Sequence, residues 1–235
     1  MQENFKALIL TYKMAPVSVR EQVSLNEEGV KKLLTFAREY TAVTDILVVS
    51  TCNRTEIYYH SDTDYRTELL SGLKITKGIS DDIERHFLSL TGDKAIRHLF
   101  EVAIGLDAQI VGDLQVSGQV KNAYQWSADV NMAGPFLHRL MHTIFFTNKR
   151  VVQETVFRDG AASLSYATTE MMHDLTIGKE AKVLVLGVGE IGQDVVRNLI
   201  DSDFENVTIL NRTPDKAQKL AEEGGFRFGG LDRLA

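Results

Sequence analysis

The chain has 235 residues, 44% hydrophobic and 25% charged, with three prolines. That is the make-up of an ordinary globular protein of one large or two small domains, and it excludes disordered, collagenous and low-complexity classes. The formal charge of −6 argues against a protein that lives on nonspecific phosphate contacts. Apolar runs such as residues 46–49 and 183–186 are short, far below the roughly 18–20 residues of a membrane helix. The N-terminus lacks a basic segment followed by an apolar stretch, and one cysteine cannot form an internal disulfide, so a cytoplasmic location is expected.

In chain order, residues 6–11 (KALILT) read as a strand. Ser24 is placed to cap a helix running to about Tyr40, with Glu27 three positions on completing a capping box. Residues 46–50 (ILVVS) and 56–60 (EIYYH) read as two more strands, and residues 64–73 as a helix. Together they describe a small α+β unit with a mixed or antiparallel sheet. From residue 93 the pattern turns helical, with helices expected over 94–104, 115–127, 135–154 and 161–175. Pro135 after Gly134 suits the first position of a helix.

Charge is uneven along the chain. Residues 1–160 carry a net −2 and residues 161–235 a net −4, while residues 130–153 contain no acid but hold His138, Arg139, His142, Lys149 and Arg150. That stretch reads equally as a solvated helix face or as a local patch for a polyanion.

At Lys182 the texture changes again. KVLVLGVGEIG is an apolar strand running into glycines, residues 191–200 are apolar at helical spacing, and VTILNRT is a second strand. This is one βαβ unit. A boundary in the linker-like FRDG, near residues 158–160, divides a domain over 1–158 from one over 159–235. Gly187, Val188, Gly189, Glu190, Ile191 and Gly192 match G-x-G-x-x-G in its confirming strand–turn–helix setting. Such a loop lets a pyrophosphate approach the positive end of the following helix; the alternative is a tight turn with no ligand. The second strand ends Asn211-Arg212-Thr213, with no acid before Asp215. An arginine there can pair with a ribose 2′-phosphate and a threonine can donate to it, so NADP is favoured over NAD, unless Arg212 is simply a solvated loop residue.

Cys52 follows the apolar strand and Thr51, and precedes Asn53 and Arg54. A structural cysteine prefers apolar company, whereas a cationic neighbour suits a reactive thiolate. A nucleophilic cysteine beside a nicotinamide cofactor suggests one chemistry: capture of an acyl group, then reduction of the thioester to an aldehyde. His98 suits an acid–base role near neutrality, and equally a satisfied helix histidine. No cluster of His, Cys and acids has metal-ligand spacing, so no metal is expected.

Residues 50–58 (STCNRTEIY) resemble the signature of the glutamyl-tRNA reductase family. So do Gly105-Leu106-Asp107, Val111-Gly112-Asp113, Gln115 and Gly118-Gln119-Val120-Lys121. Residues 15–21 (APVSVRE), Lys149-Arg150-Val151 and the glycine loop fall in the family's order, so the resemblance covers essentially the whole chain. It implies an α/β protein: an N-terminal α+β catalytic domain with a helical part, then a Rossmann-type NADP-binding domain, here incomplete. It implies an oxidoreductase using NADPH to convert glutamyl-tRNA(Glu) to glutamate-1-semialdehyde, the first step of tetrapyrrole (porphyrin and haem) biosynthesis.

On the same resemblance Cys52 is the nucleophile and His98 the proton-transfer residue. Thr51, Asn53, Arg54, Ala108, Asp113, Leu114, Gln115 and Gln119 stand at substrate-contacting positions, with Arg54 a partner for a substrate carboxylate. Gly187, Val188, Gly189, Glu190, Ile191, Gly192, Asn211, Arg212 and Thr213 stand at the cofactor positions. The full-length family member is expected to dimerise through a C-terminal helical region missing here, with glutamate-1-semialdehyde aminotransferase a further partner and no membrane attachment. A chain ending within the nucleotide domain is expected to keep acyl transfer and to reduce poorly. The chain departs from the family pattern at Ala108 (usually Ser), Asp113 (Glu), Leu114 (Pro), Glu101 (Arg) and Tyr12 (His). Two alternatives stand beside this reading. One is a non-catalytic paralogue or module binding glutamyl-tRNA or a haem-pathway partner. The other is a shikimate-dehydrogenase-like enzyme, which explains the nucleotide piece but not Cys52.

Overall fold

A computed structural model describes residues 2–80, 82–155, 157, 164–175, 177–202 and 204–234. The chain divides into two compact units, Met1–Phe157 and Arg158–Ala235. The expected boundary near 158–160 and the start of the expected helix over 161–175 lie outside the described residues.

The first unit is built from β1 (Phe5–Thr11), α1 (Val17–Val23), α2 (Glu27–Tyr40), β2 (Asp45–Ser50), β3 (Arg54–His60), α3 (Arg66–Lys77), β4 (Leu88–Thr91), α4 (Asp93–Ala103), α5 (Leu114–Asp129) and α6 (Pro135–Glu154). Its sheet has the order β2-β3-β1-β4, and every pairing is antiparallel. β1, β2 and β3 are almost wholly buried on both faces, which requires cover on both sides. Period-two alternation divides their side chains. Leu8, Leu10, Ile46, Val48, Ile57 and Tyr59 pack with α2 and α3. Phe5, Ala7, Ile9, Leu47, Val49 and Tyr58 pack with α4, α5 and α6. The result is a sheet between two helical layers.

Local chemistry corrects two expectations. The capping box of Ser24 and Glu27 does not form: Asn26 caps α2 by accepting from Gly29 N–H at 2.9 Å. Ser24 is taken by α1, whose end it closes by donating its N–H to the Arg20 carbonyl. β3 also starts earlier than expected, at Arg54, because Arg54 and Thr55 pair in register with Thr11 and Leu10. The short α1 and the largely exposed β4 have too few apolar positions to announce themselves by period.

The entry to α6 depends on a distant strand. Asp45, 5% exposed on β2, accepts from Leu137 N–H at 2.7 Å, supplying the cap that Gly134 lacks. A Cβ on Gly134 would fall 2.4 Å from the Asp45 carboxylate.

The second unit holds α7 (Leu164–Asp174), β5 (Lys182–Leu186), α8 (Glu190–Ile200), β6 (Asn206–Leu210), α9 (Pro214–Gly224) and β7 (Arg227–Gly229). Its sheet runs β5-β6-β7, all parallel. Val196, Leu199, Val207, Ile209, Ala217 and Leu220 form its core. The expected βαβ unit is present, and α9 and β7 extend it by a further turn of the same topology. Among the described residues no helix is long and apolar enough to cross a membrane.

Replacing Asp45 by Ala leaves the Leu137 N–H buried without an acceptor, a loss of about 1–3 kcal/mol. Urea unfolding of the 235-residue chain should show the first unit's midpoint fall with its slope unchanged.

Candidate functional site

β2 and β3 are joined by a two-residue turn with Cys52 and Asn53 at its centre. Thr51 N–H donates to the Arg54 carbonyl at 2.8 Å. Thr51 Oγ1 accepts from the N–H groups of Asn53 and Arg54 at 3.1 and 3.3 Å. The Asn53 carbonyl accepts from Tyr12 N–H at 2.8 Å. Arg20 on α1 sends Nη1 to the Cys52 carbonyl at 2.6 Å and to Asn53 Oδ1 at 2.9 Å. A tightly bonded tip thus presents an exposed, free thiol.

Below the tip, alternation along β3 puts Arg54, Glu56 and Tyr58 on the face that α4 covers. Glu56 is fully buried and its carboxylate receives three donors. Arg54 Nη1 and His98 Nε2 both lie 3.0 Å from Oε1, and Tyr58 OH lies 2.5 Å from Oε2. Burial alone would raise the Glu56 pKa, but the His98 hydrogen bond and the Arg54 charge outweigh it and hold the carboxyl below its usual range. Burial, with the Glu56 charge beside it, pushes the Tyr58 phenol well above its ordinary value. An ionised Glu56 can only accept. His98 Nε2 therefore carries the hydrogen that Glu56 accepts.

The network continues outward. Arg54 donates Nη2 to the Asp107 carbonyl, and its Nη1 lies 3.4 Å from Asp107 Oδ2. Lys13 pairs with Asp107 Oδ1. Burial would lift the Asp107 carboxyl, but the Lys13 bond and the Arg54 charge bring it below its usual value. Arg54 is buried: its side chain is 2% exposed, and its terminal nitrogens are engaged by Glu56 and Asp107.

The remaining expected substrate positions gather on the loop after α4 and on α5. Ala108 is buried, and its carbonyl accepts from Tyr12 OH at 3.4 Å. The loop is closed by Gly112 N–H on the Gly105 carbonyl at 2.9 Å. Asp113 caps α5, accepting from Gln115 N–H at 2.9 Å, so one of its oxygens is committed locally. Leu114 opens α5; Gln115 and Gln119, both half-buried, follow four residues apart on one helix face. His98 is joined to the Cys52 strand through Glu56. Among the described residues no hydrogen bond reaches the Cys52 sulfur.

Glu56, His98 and Asp107 bring three ligand-capable atoms within 4.8 Å of one another, a grouping that their separation in sequence conceals. The donor set suits a metal poorly, because Arg54 pairs with both carboxylates and Glu56 Oε1 is already shared by Arg54 and His98. Lys13, Arg20, Glu56, Tyr58 and Asp107 escaped the sequence reading as site residues. The alternation in Arg54-Thr55-Glu56-Ile57-Tyr58 was the available signal for two of them.

In the second unit the glycine loop follows β5 and opens α8, whose first turn has no side-chain cap. Gly187 has φ +90°, and a Cβ on Gly192 would fall 2.1 Å from the Gly187 carbonyl oxygen, so helix and loop can meet this closely only without one. A Cβ on Gly189 meets nothing within 4 Å, leaving room at the helix N-terminus. Val188 N–H donates to Asn211 Oδ1 at 3.2 Å, tying the loop to the end of β6. Glu190 and Ile191 begin α8 and are exposed; Arg212 and Thr213 stand exposed just past β6. A cleft of about 670 Å³ runs along β5 and this loop, lined by Met172, Val183, Val185, Gly187, Gly189 and Gly192. These residues fit a dinucleotide.

Replacing Glu56 by Gln removes the charge that balances Arg54 and should cost about 3 kcal/mol at neutral pH. A carboxyl depressed in the folded state stabilises above its unfolded value of 4.5, and that contribution is lost as the pH falls through the folded value. Urea unfolding as a function of pH should therefore show a less stable variant whose stability declines less steeply in acid.

The N-terminal domain of glutamyl-tRNA(Glu) reductase matches residues 8–155, and the shikimate / quinate 5-dehydrogenase family matches residues 170–231. A glutamyl-tRNA reductase of Cytophaga hutchinsonii is 52% identical, covering 100% of this chain and 56% of that protein. One from Chlorobium phaeobacteroides is 37% identical over 94% of this chain and 53% of that protein. The solved glutamyl-tRNA reductase of Methanopyrus kandleri matches with a TM-score of 0.65 at 29% identity, covering 99% of this chain and 55% of that one. The chain spans about half the length of these relatives. With a family match over most of its length and the same fold throughout, it belongs to the glutamyl-tRNA reductase family.

Proposed function

We propose that the chain carries the acyl-transfer site and part of the NADPH site of an enzyme reducing glutamyl-tRNA(Glu) to glutamate-1-semialdehyde, the entry step to tetrapyrroles. The observation that supports it most is the exposed, unpaired Cys52 thiol on a turn held by Thr51 and Arg20, next to the buried Arg54–Glu56–His98 network. The Cys52 thiolate attacks the glutamyl ester carbon and displaces the ribose oxygen of the tRNA, leaving glutamate as a thioester. Thr51, Asn53, Arg54, Ala108, Asp113, Leu114, Gln115 and Gln119 surround the glutamyl group. Arg54 and Lys13 flank Asp107, so a substrate carboxylate gains their charge by taking the place of the Asp107 side chain.

His98, with Nε2 fixed by Glu56, uses Nδ1 to hold or give up a proton during reduction. Gly187 through Gly192 receive the pyrophosphate at the start of α8, Asn211 holds the loop, and Arg212 with Thr213 meets the 2′-phosphate. Bound there, NADPH supplies the reducing equivalents that take the thioester to the aldehyde. The domains are residues 1–158 for acyl transfer and 159–235 for the cofactor.

Rapid mixing of the chain with radiolabelled glutamyl-tRNA, without NADPH and followed by acid trapping, should leave label on the protein and none on Cys52→Ser. Bound tRNA with no trapped label would instead favour a non-catalytic binding module. For the cofactor, Arg212→Ala should weaken NADPH binding roughly 10–100-fold, the equivalent of one lost charge-assisted contact, with NADH binding little changed. Titration of cofactor fluorescence checks this, and equal losses for both cofactors would count against the 2′-phosphate role.

A further inference from the structure

The turn that displays Cys52 accounts for its neighbouring amides and leaves one over. The N–H groups of Thr51, Asn53 and Arg54 are all spent inside the turn. Among the described residues, no acceptor takes the N–H of Cys52 itself. Cys52 is exposed, so its N–H is open to an incoming acceptor, and it belongs to the same residue as the thiol. The carbonyl of Cys52 is at the same time pinned by Arg20 Nη1, which also holds the Asn53 side chain. Arg20 Nε is buried without a partner, so this guanidinium is committed to the turn at some expense to its own hydrogen bonding.

We propose that the Cys52 N–H is the oxyanion donor for acyl transfer, and that Arg20 is the positioning residue that keeps it aimed; this rests on the thioester reading of the site. In the reaction, the Cys52 thiolate adds to the glutamyl carbonyl carbon. A C–S bond forms and the carbonyl π pair moves onto oxygen. That oxygen, negative in the adduct, accepts from the Cys52 N–H. When the pair returns, the C–O bond to the ribose breaks and the ribose oxygen leaves, taking up a proton in place of the one the thiol gave up. A nucleophile's own amide is well sited for such a task, because its nitrogen lies two bonds from the carbon that bears the attacking sulfur. Its usefulness depends on the turn not rotating. Thr51 Oγ1 fixes the turn from one side and Arg20, through the Cys52 carbonyl, from the other.

The distinction between a positioning role and a general structural one can be measured. Alkylation of Cys52 by iodoacetamide uses the same thiolate but forms no oxyanion, so the ratio of acylation rate to alkylation rate at one pH cancels the thiolate fraction. Single-turnover acylation from labelled glutamyl-tRNA and alkylation are measured on the full 235-residue chain, on Arg20→Gln and on Arg20→Lys. Arg20→Gln should lower the acylation-to-alkylation ratio roughly 10–100-fold, a large part of what a lost oxyanion donor costs, with the half-saturating tRNA concentration unchanged. Arg20→Lys keeps a donor within reach of the Cys52 carbonyl and should restore most of the ratio. An unchanged ratio in Arg20→Gln overturns the proposal. So does a parallel loss of both reactions that Lys fails to rescue, since Arg20 would then only hold the turn folded. A wild-type chain that alkylates but never acylates overturns the thioester reading itself, and is told apart because it needs no variant.

Discussion

A buried carboxylate sets the terms for the first unit. Taking Glu56 out of water costs several kcal/mol unless donors replace the lost hydration. Arg54, His98 and Tyr58 supply them. Two of these donors lie on β3 itself, two residues to either side of Glu56, so alternation alone aims them at the same point. The third comes from α4, and meeting it fixes how that helix lies across the sheet. Asp107 and Lys13 carry the pattern to the loop after α4 and to the segment after β1. Four stretches of chain are thereby held by alternating charge, in a layer otherwise filled by aliphatic and aromatic side chains. Apolar packing would tolerate small slips of α4 along the sheet, whereas a paired buried charge does not.

On the proposed reading, the buried network matters because the chemistry stands at its edge. The turn that carries Cys52 is held by Thr51, Tyr12 and Arg20 yet leaves the thiol in solvent. A strand end is the place where such a combination is available. The sheet supplies fixed anchors in Thr51 and Arg54, and the two residues between them are free of the ladder. On the proposed reading, acyl capture happens at this tip, while His98, held by Glu56, works from the level of the sheet. The two steps use different atoms of one strand and its cover.

Much of this was legible in the sequence, for identifiable reasons. β1 and β2 are largely apolar runs, and α6 begins with proline and keeps its period for five turns, so each declared itself. The glycine loop did too, because the close approach of Gly192 to Gly187 admits no other residue. What escaped was decided by tertiary contact. Asn26 outcompetes Ser24 as a cap because α1, too short to see by period, claims Ser24. Nothing local to Arg54 reveals that Asp107, more than fifty residues away, engages it. The cap of α6 comes from Asp45 on β2, a partnership that no window of sequence contains. The Arg20 clamp is of the same kind: the residue was visible within a motif, its partners were not.

The second unit shows how little of a dinucleotide site needs side chains. Three features shape its cradle: a positive φ at Gly187, the absence of a Cβ at Gly192, and open space at Gly189. The side chains that reach the loop meet its backbone: Asn211 accepts from Val188 N–H, and Gln193 Nε2 donates to the Val188 carbonyl at 3.1 Å. On the proposed reading, binding of the pyrophosphate depends on backbone geometry shared by many folds, while the choice between cofactors is left to exposed residues beyond β6. The Arg212 and Thr213 side chains can change without disturbing the loop, because Thr213 meets Asn211 only through its backbone carbonyl, at 2.9 Å. The first unit is organised the other way. On the proposed reading its substrate meets buried side chains that also hold the fold together, so Glu56, Arg54 and Asp107 cannot be altered for a new substrate without loosening the network beside the Cys52 turn.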